Sequence, residues 1–177
     1  MPDIFLRPNG AITVGDGARV FGRAGDGQRI FLDAAATDVR LDANIERIDL
    51  DRRLADLSFQ VTDNGLEITA DGTVVAAILS LNQATALVTR NGDVTLEQIG
   101  ASAFELTGRD GATMRVDRDD PVSATVAPGA ATLDRPSVDG APAATVFLAG
   151  GERFLAREPV DLRGPGTGDA TLALAAD

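Results

Sequence analysis

Three carboxylates stand within four residues at Asp117-Arg118-Asp119-Asp120, immediately before Pro121. Oxygen-only donors in a loop suit a hard cation with flexible coordination such as calcium, and three close negative charges need a counter-ion. Arg115 and Arg118 offer the competing counter-charge of an ordinary solvated loop. Asp16 and Asp26 occupy the glycine-flanked corners Gly15-Asp16-Gly17 and Gly25-Asp26-Gly27, where a short carboxylate either holds a cation or bonds its own turn. Asp117, Asp119, Asp120, Asp16 and Asp26 are therefore the candidate metal ligands, and calcium is the candidate cofactor. Asn44 and Glu46 read as residues that shape a corner. Asp49, Asp51 and Asp56, interleaved with Arg47, Arg52 and Arg53, read as salt-bridged surface. As a catalytic pair on a polysaccharide, Asp49 and Asp51 would lack the Trp or Tyr platform usual in sugar clefts.

Other chemistry is removed by absent residue types. The chain has no Cys, His, Trp or Tyr, and all 16 basic residues are Arg. Serine and cysteine triads, imidazole or thiolate zinc sites, Schiff bases and the P-loop lysine are thus excluded, and the expectation is a protein that is not an enzyme. Acidic residues number 27 and the net charge is −11, which repels nucleic acid and anionic lipid and attracts divalent cations. No apolar run approaches the length of a membrane helix, and the opening MPDIFLRPNG lacks a basic and then apolar leader pattern. Neither nucleic-acid binding nor membrane insertion is expected.

The elements that position these residues read as short strands. From Ile12 to Leu50 apolar pairs recur about every ten residues between Gly- and Asp-rich corners: Ile12/Val14, Val20/Phe21, Ile30/Leu32, Val39/Leu41 and Ile48/Leu50. Gly15, Gly17, Gly22, Gly25 and Gly27 are expected to supply positive φ at those corners. Phe59/Val61 and Leu66/Ile68 flank Asp63-Asn64-Gly65 as a hairpin, and Thr73 to Leu79 follows as a central strand. The run Val61-Thr-Asp-Asn-Gly65 is echoed 27 residues later by Val88-Thr-Arg-Asn-Gly92, either a duplicated hairpin or a shared turn signature. Phe104 to Thr107 and Met114 to Val116 form a third hairpin. Asp51 to Leu57 is the best helix candidate and Ser80 to Leu87 a weaker one. The fold class is all-β: short-strand β-solenoid-like coils merging into an antiparallel meander, with a β-sandwich as the alternative.

Three regions follow: a solenoid and meander domain over 1–118, a Pro- and Ala-rich extended linker or clasp over 119–143, and C-terminal β-hairpins with a tail over 144–177. Pro121, Pro128, Pro136 and Pro142 remove ladder donors from the middle region. About 25 residues at roughly 3.3 Å each let it reach some 80 Å, along its own domain or onto a neighbour.

Val20-Phe-Gly22-Arg-Ala-Gly25-Asp26, followed by Ile30-Phe-Leu32, resembles the Val-Phe-Gly-x-Ala-Gly-Asn-Asp run of RTX-type repeats. Leu41-Asp-Ala-Asn44-Ile45-Glu46-Arg-Ile48-Asp-Leu50 resembles the strand that follows such repeats. Leu57-Ser-Phe59, Asp71-Gly-Thr-Val-Val and Leu81-Asn-Gln83 continue a similarity to globular modules of surface-layer-like, type I-secreted bacterial proteins, covering about residues 18–108. That resemblance implies an extracellular or cell-surface protein, exported without a cleaved N-terminal signal and often stabilised by calcium. Where the nonapeptide of those repeats has Gly and a liganding Asp, this chain has Arg23 and Gly27, and no tandem copy follows. A full calcium β-roll is therefore not expected. The leading functional expectation is a secreted structural protein that self-assembles as a surface layer, biofilm matrix or filament. The alternative is an adhesin, or a fibre or spike protein of a phage-like particle, that recognises a surface glycan.

Overall fold

The computed structural model describes residues 1–118, 120–137, 142–149, 152–163 and 171–174. In chain order the strands are β1 (Asp3–Leu6), β2 (Ala11–Asp16), β3 (Arg19–Phe21), β4 (Arg29–Thr37), β5 (Val39–Leu41), β6 (Arg47–Leu50), β7 (Leu57–Thr62), β8 (Gly65–Ala70) and β9 (Thr73–Ile78). They continue as β10 (Thr85–Thr89), β11 (Gly92–Gly100), β12 (Ala103–Thr107), β13 (Thr113–Val116), β14 (Val122–Ser123), β15 (Ala144–Phe147), β16 (Arg153–Ala156), β17 (Val160–Arg163) and β18 (Thr171–Leu174).

The fold is an all-β solenoid that merges into antiparallel meanders. Sheet A runs in the order β14-β7-β8-β9-β5-β3-β1-β15-β17, and sheet B in the order β13-β12-β11-β10-β6-β4-β2. In sheet A, β1, β3, β5 and β9 pair in parallel, and in sheet B so do β2, β4, β6 and β10. The chain therefore alternates between sheets, one strand in each per coil. This winding follows from strands too short to bury themselves, each offering two inward side chains: Ile4/Leu6, Ile12/Val14, Ile30/Leu32, Val39/Leu41 and Ile48/Leu50 are all buried. Full burial of each such side chain stabilises by about 1.5–3 kcal/mol. The β7–β8 hairpin is inserted between coils and extends sheet A, while β11, β12 and β13 extend sheet B.

Several local expectations are refined. Gly17, Gly25 and Gly27 take positive φ, but Gly15 and Gly22 do not. Gly22 is needed for a close approach instead, since a Cβ there would lie 3.0 Å from the Asn44 carbonyl oxygen of the next coil. Both echoed turns form two-residue hairpins whose following glycines, Gly65 and Gly92, have φ of 102° and 125°. The helix candidate at 51–57 yields only a 3-10 turn at Leu54–Asp56, and Ser80 to Leu87 ends in strand β10, which packs between β6 and β11. Phe21 does not join Val20 inside, because successive residues of a strand face opposite ways.

The C-terminal strands are not hairpins. β15 pairs with β17 and β16 with β18, both in parallel, because the chain changes sheet between partners as it does in the main coils. β15 pairs antiparallel to β1, so this unit caps the N-terminal end of the solenoid with reversed polarity. Glu158, almost fully buried, accepts the backbone N–H of Thr13 at 3.0 Å and also its hydroxyl, capping the outer strand β2.

Candidate association surface

The two sheets differ in what lies on their outer faces. On sheet B, Thr13, Phe31, Asp49, Val88 and Asp93 form one cross-strand row that points away from the solenoid interior. Phe31 and Asp49 are nonetheless 0% exposed. The proline-containing segment after Pro121 crosses this row as a strap. Its Gly129 N–H donates to the Asp93 carbonyl at 2.7 Å, and its Ala131 N–H donates to Asp93 Oδ1 at 3.0 Å. The Asp134 N–H donates to Asp49 Oδ1 at 3.1 Å, and Arg47 donates to the Thr132 carbonyl at 2.8 Å. Prolines suit this role because the strap is held by a few N–H groups and not by a ladder.

Asp49 is satisfied on its other side by two hydrogen bonds from Arg47, at 2.6 and 2.7 Å, and these raise the Arg47 guanidinium above its ordinary value. Arg135 ends the latch, donating to Asp51 Oδ2 at 2.8 Å with its guanidinium 4.6 Å from the centre of the Phe31 ring. Arg90 donates to Asp51 Oδ1 at 2.6 Å; this bond, assisted by the nearby charges of Arg90 and Arg135, holds the Asp51 carboxyl below the usual carboxylate range.

Among the described residues, no segment covers the outer face of sheet A over its N-terminal strands in this way. Phe5, Phe21 and Phe147 cluster on its outer face, Phe5 stacked on Phe21 at 4.8 Å and edge-on to Phe147 at 5.4 Å. Phe5 and Phe147 are 43% and 47% exposed, and Leu79 lies further along the same sheet at 47%. Arginines frame the cluster. Arg19 pairs with Asp3 at 2.6 Å, Arg7 pairs with Asp161, and Arg23 lines a shallow cleft of about 270 Å³ with Phe5 and Phe21. On a strongly acidic chain this is a locally charge-balanced, apolar patch.

The described candidate ligands occupy three places: the end of β2, the corner before β4 and the segment after β13. Asp117 is bound by Arg115 Nε at 2.8 Å, and Asp120 is exposed. Asp119 lies outside the described residues. Asp16 accepts the Thr37 hydroxyl at 3.0 Å at the corner after β2, whereas Asp26 is in the corner before β4. Among the described residues no three acidic side chains converge on one point. Glu46 accepts the N–H groups of Asp26 and Gln28, and Asn44 accepts a hydrogen bond from Asn82 at 3.1 Å, so both tie neighbouring coils.

The aromatic patch was overlooked at the sequence level, although a signal exists. Ile4-Phe5-Leu6, Val20-Phe21 and Val146-Phe147 each set large apolar residues side by side, and successive residues of a strand face opposite ways, so one of each neighbouring pair must face out. Compared with known proteins, the chain matches no family model. No curated protein and no solved structure matches it either.

Proposed function

We propose that this chain is a structural protein of the bacterial exterior whose copies associate through the outer face of sheet A. The exposed Phe5–Phe21–Phe147 cluster carries this reading. A second copy fits it better than an unlike partner does. Two chains of net charge −11 repel each other except where charge is locally balanced, and here Arg7 and Arg19 already neutralise Asp161 and Asp3. A patch of this kind is self-complementary across a two-fold axis. The resemblance over residues 18–108 to surface-layer-like secreted modules supports the extracellular setting and makes calcium the cation to test.

Light scattering and electron microscopy of the purified protein, with millimolar calcium or with chelator, test the reading. Concentration-dependent assemblies are expected, and a Phe5→Ser/Phe147→Ser variant should lose them while keeping its β circular-dichroism spectrum. A wild type that stays monomeric at all concentrations in both conditions sinks the proposal. Glycan-array binding by such a monomer would assign the same face to an adhesin.

A further inference from the structure

The strap covers more than it anchors. From Ala130 to Arg135 none of its residues is buried, whereas Phe31, Asp49 and Val88 on the outer face of sheet B are almost completely buried. Among the described residues, the polar links of this stretch are Ala131 N–H to Asp93 Oδ1, Arg47 to the Thr132 carbonyl, Asp134 N–H to Asp49 Oδ1, the Asp134–Arg29 ion pair and Arg135 to Asp51 Oδ2. All but one of them use a carboxylate, and the exception comes from Arg47, which is itself held by two hydrogen bonds to Asp49. Gly129 is attached differently. Its N–H donates to the backbone carbonyl of Asp93, a bond that protonation does not touch, and a Cβ there would collide with Asp93 Oδ1. Buried Val126 fixes the strap just before it.

We propose that Ala130–Arg135 is an acid-released lid, which opens about Gly129 when the carboxylates that hold it are protonated and uncovers Phe31 and Val88 while the solenoid stays folded. The solenoid does not need the lid, because the β2–β4–β6–β10 ladder and the buried core take no residue from 130–135. The charges that face the latch are all basic on the solenoid side. Asp51 meets Arg90 from the turn after β10 and Arg135 from the strap, and Asp56 acts on Arg90 in turn. Asp49 meets Arg47, Asp134 meets Arg29, and Arg47 also feels the charges of Asp134 and Asp93. Acid removes the negative half of each pair and leaves the arginines charged. The Arg90 hydrogen bond and the charges of Arg90 and Arg135 outweigh burial and lower Asp51, so its hold is full above the unfolded value of about 3.9 and is lost as pH falls through the lower folded value. Full opening therefore lies below pH ~3.9. The lid belongs to sheet B and does not rest on the aromatic face of sheet A.

The chain has no cysteine, so a single placed thiol carries a spin label without competition. Dilute full-length chains labelled at Thr132→Cys, an exposed lid position, or at Glu97→Cys, an exposed position of β11, are followed by electron paramagnetic resonance from about pH 7 to about pH 3, with circular dichroism on the same samples. The Thr132 label should gain mobility below pH ~3.9 while the Glu97 label and the β spectrum stay unchanged. The Asp51→Asn/Asp134→Asn variant, which removes two of the latch charges without acid, should show the mobile Thr132 label already at neutral pH. A Thr132 label that keeps its mobility until the β spectrum itself is lost overturns the lid, and so does a label as restrained in the double variant as in the parent. A second measurement stands if the label itself disturbs the strap. Val88→Cys, beneath the lid, should be alkylated at neutral pH roughly tenfold faster or more in the Asp51→Asn/Asp134→Asn chain than in the parent. Equal rates in the two chains also overturn the proposal. Neither readout involves association of copies, so a failure of sheet A to pair them leaves both results standing.

Discussion

Phe31 and Phe5 both sit on the outer side of a solenoid strand, flanked by inward aliphatic neighbours, and they have opposite fates. Phe31 is 0% exposed beneath the strap, while Phe5 is 43% exposed on the other sheet. The strand chemistry is the same, and the difference is what the rest of the chain lays over it. An outward aromatic in a β-solenoid is thus core or contact surface according to whether a distant segment returns to cover it. Among the described residues the segment covers the outer face of sheet B, and Phe5 and Phe147 on sheet A stay exposed.

The largest test of this contrast is Phe31→Ala. Deleting a fully buried ring should cost about 3–5 kcal/mol, read as a lower urea midpoint with an unchanged slope. A loss as small as that of a surface residue would mean that the strap does not seal sheet B. Next comes Gly92→Ala, where the new methyl would collide with the Gly129 carbonyl and force a side chain onto φ of 125°. A destabilisation of about 1–3 kcal/mol is expected, with faster amide exchange in residues 129–134 than in the β7–β8 hairpin.

Asp51→Asn probes the latch by pH. Because Arg90 lowers the folded-state pKa of Asp51, the carboxylate stabilises the fold fully above its unfolded value of about 3.9, and this contribution disappears as pH falls through the lower folded value. Wild type and variant should differ in melting temperature near pH 7 and converge below pH ~3.9. A constant difference across that range would show that Asp51 acts by packing and not by charge. The smallest stability effect belongs to Phe5→Ser with Phe147→Ser, about 1 kcal/mol or less in thermal melts, alongside the loss of association described above.

Much of the solenoid was legible locally. Apolar residues two apart with Gly-Asp corners every ten or so residues specify short strands whose inward positions are Ile12, Val14, Ile30, Leu32, Ile48 and Leu50, and these are buried as expected. The echoed hairpins at Asn64-Gly65 and Asn91-Gly92 were equally readable, because a two-residue turn with a positive-φ glycine is chemistry carried by adjacent residues. The candidate metal residues illustrate the limit. Asp16, Asp26 and Asp117 are each beside a turn, and only the structure shows that the Asp16 carboxylate accepts the Thr37 hydroxyl and that Arg115 binds the Asp117 carboxylate.

By itself the sequence determined that the chain is all-β, rich in short coils, strongly acidic and without the side chains of common catalysis, since composition, periodicity and turn chemistry are local properties. Only the tertiary structure decided which sheet the proline-containing segment covers, that Asp49 is a buried acceptor and not a surface charge, and that the C-terminal strands cap β1 in place of forming hairpins. Those outcomes depend on contacts between residues 85 to 145 positions apart, such as Asp134 with Asp49 and Glu158 with Thr13. No local pattern encodes such contacts, because their free energy exists only once the solenoid has built the surface that they bind.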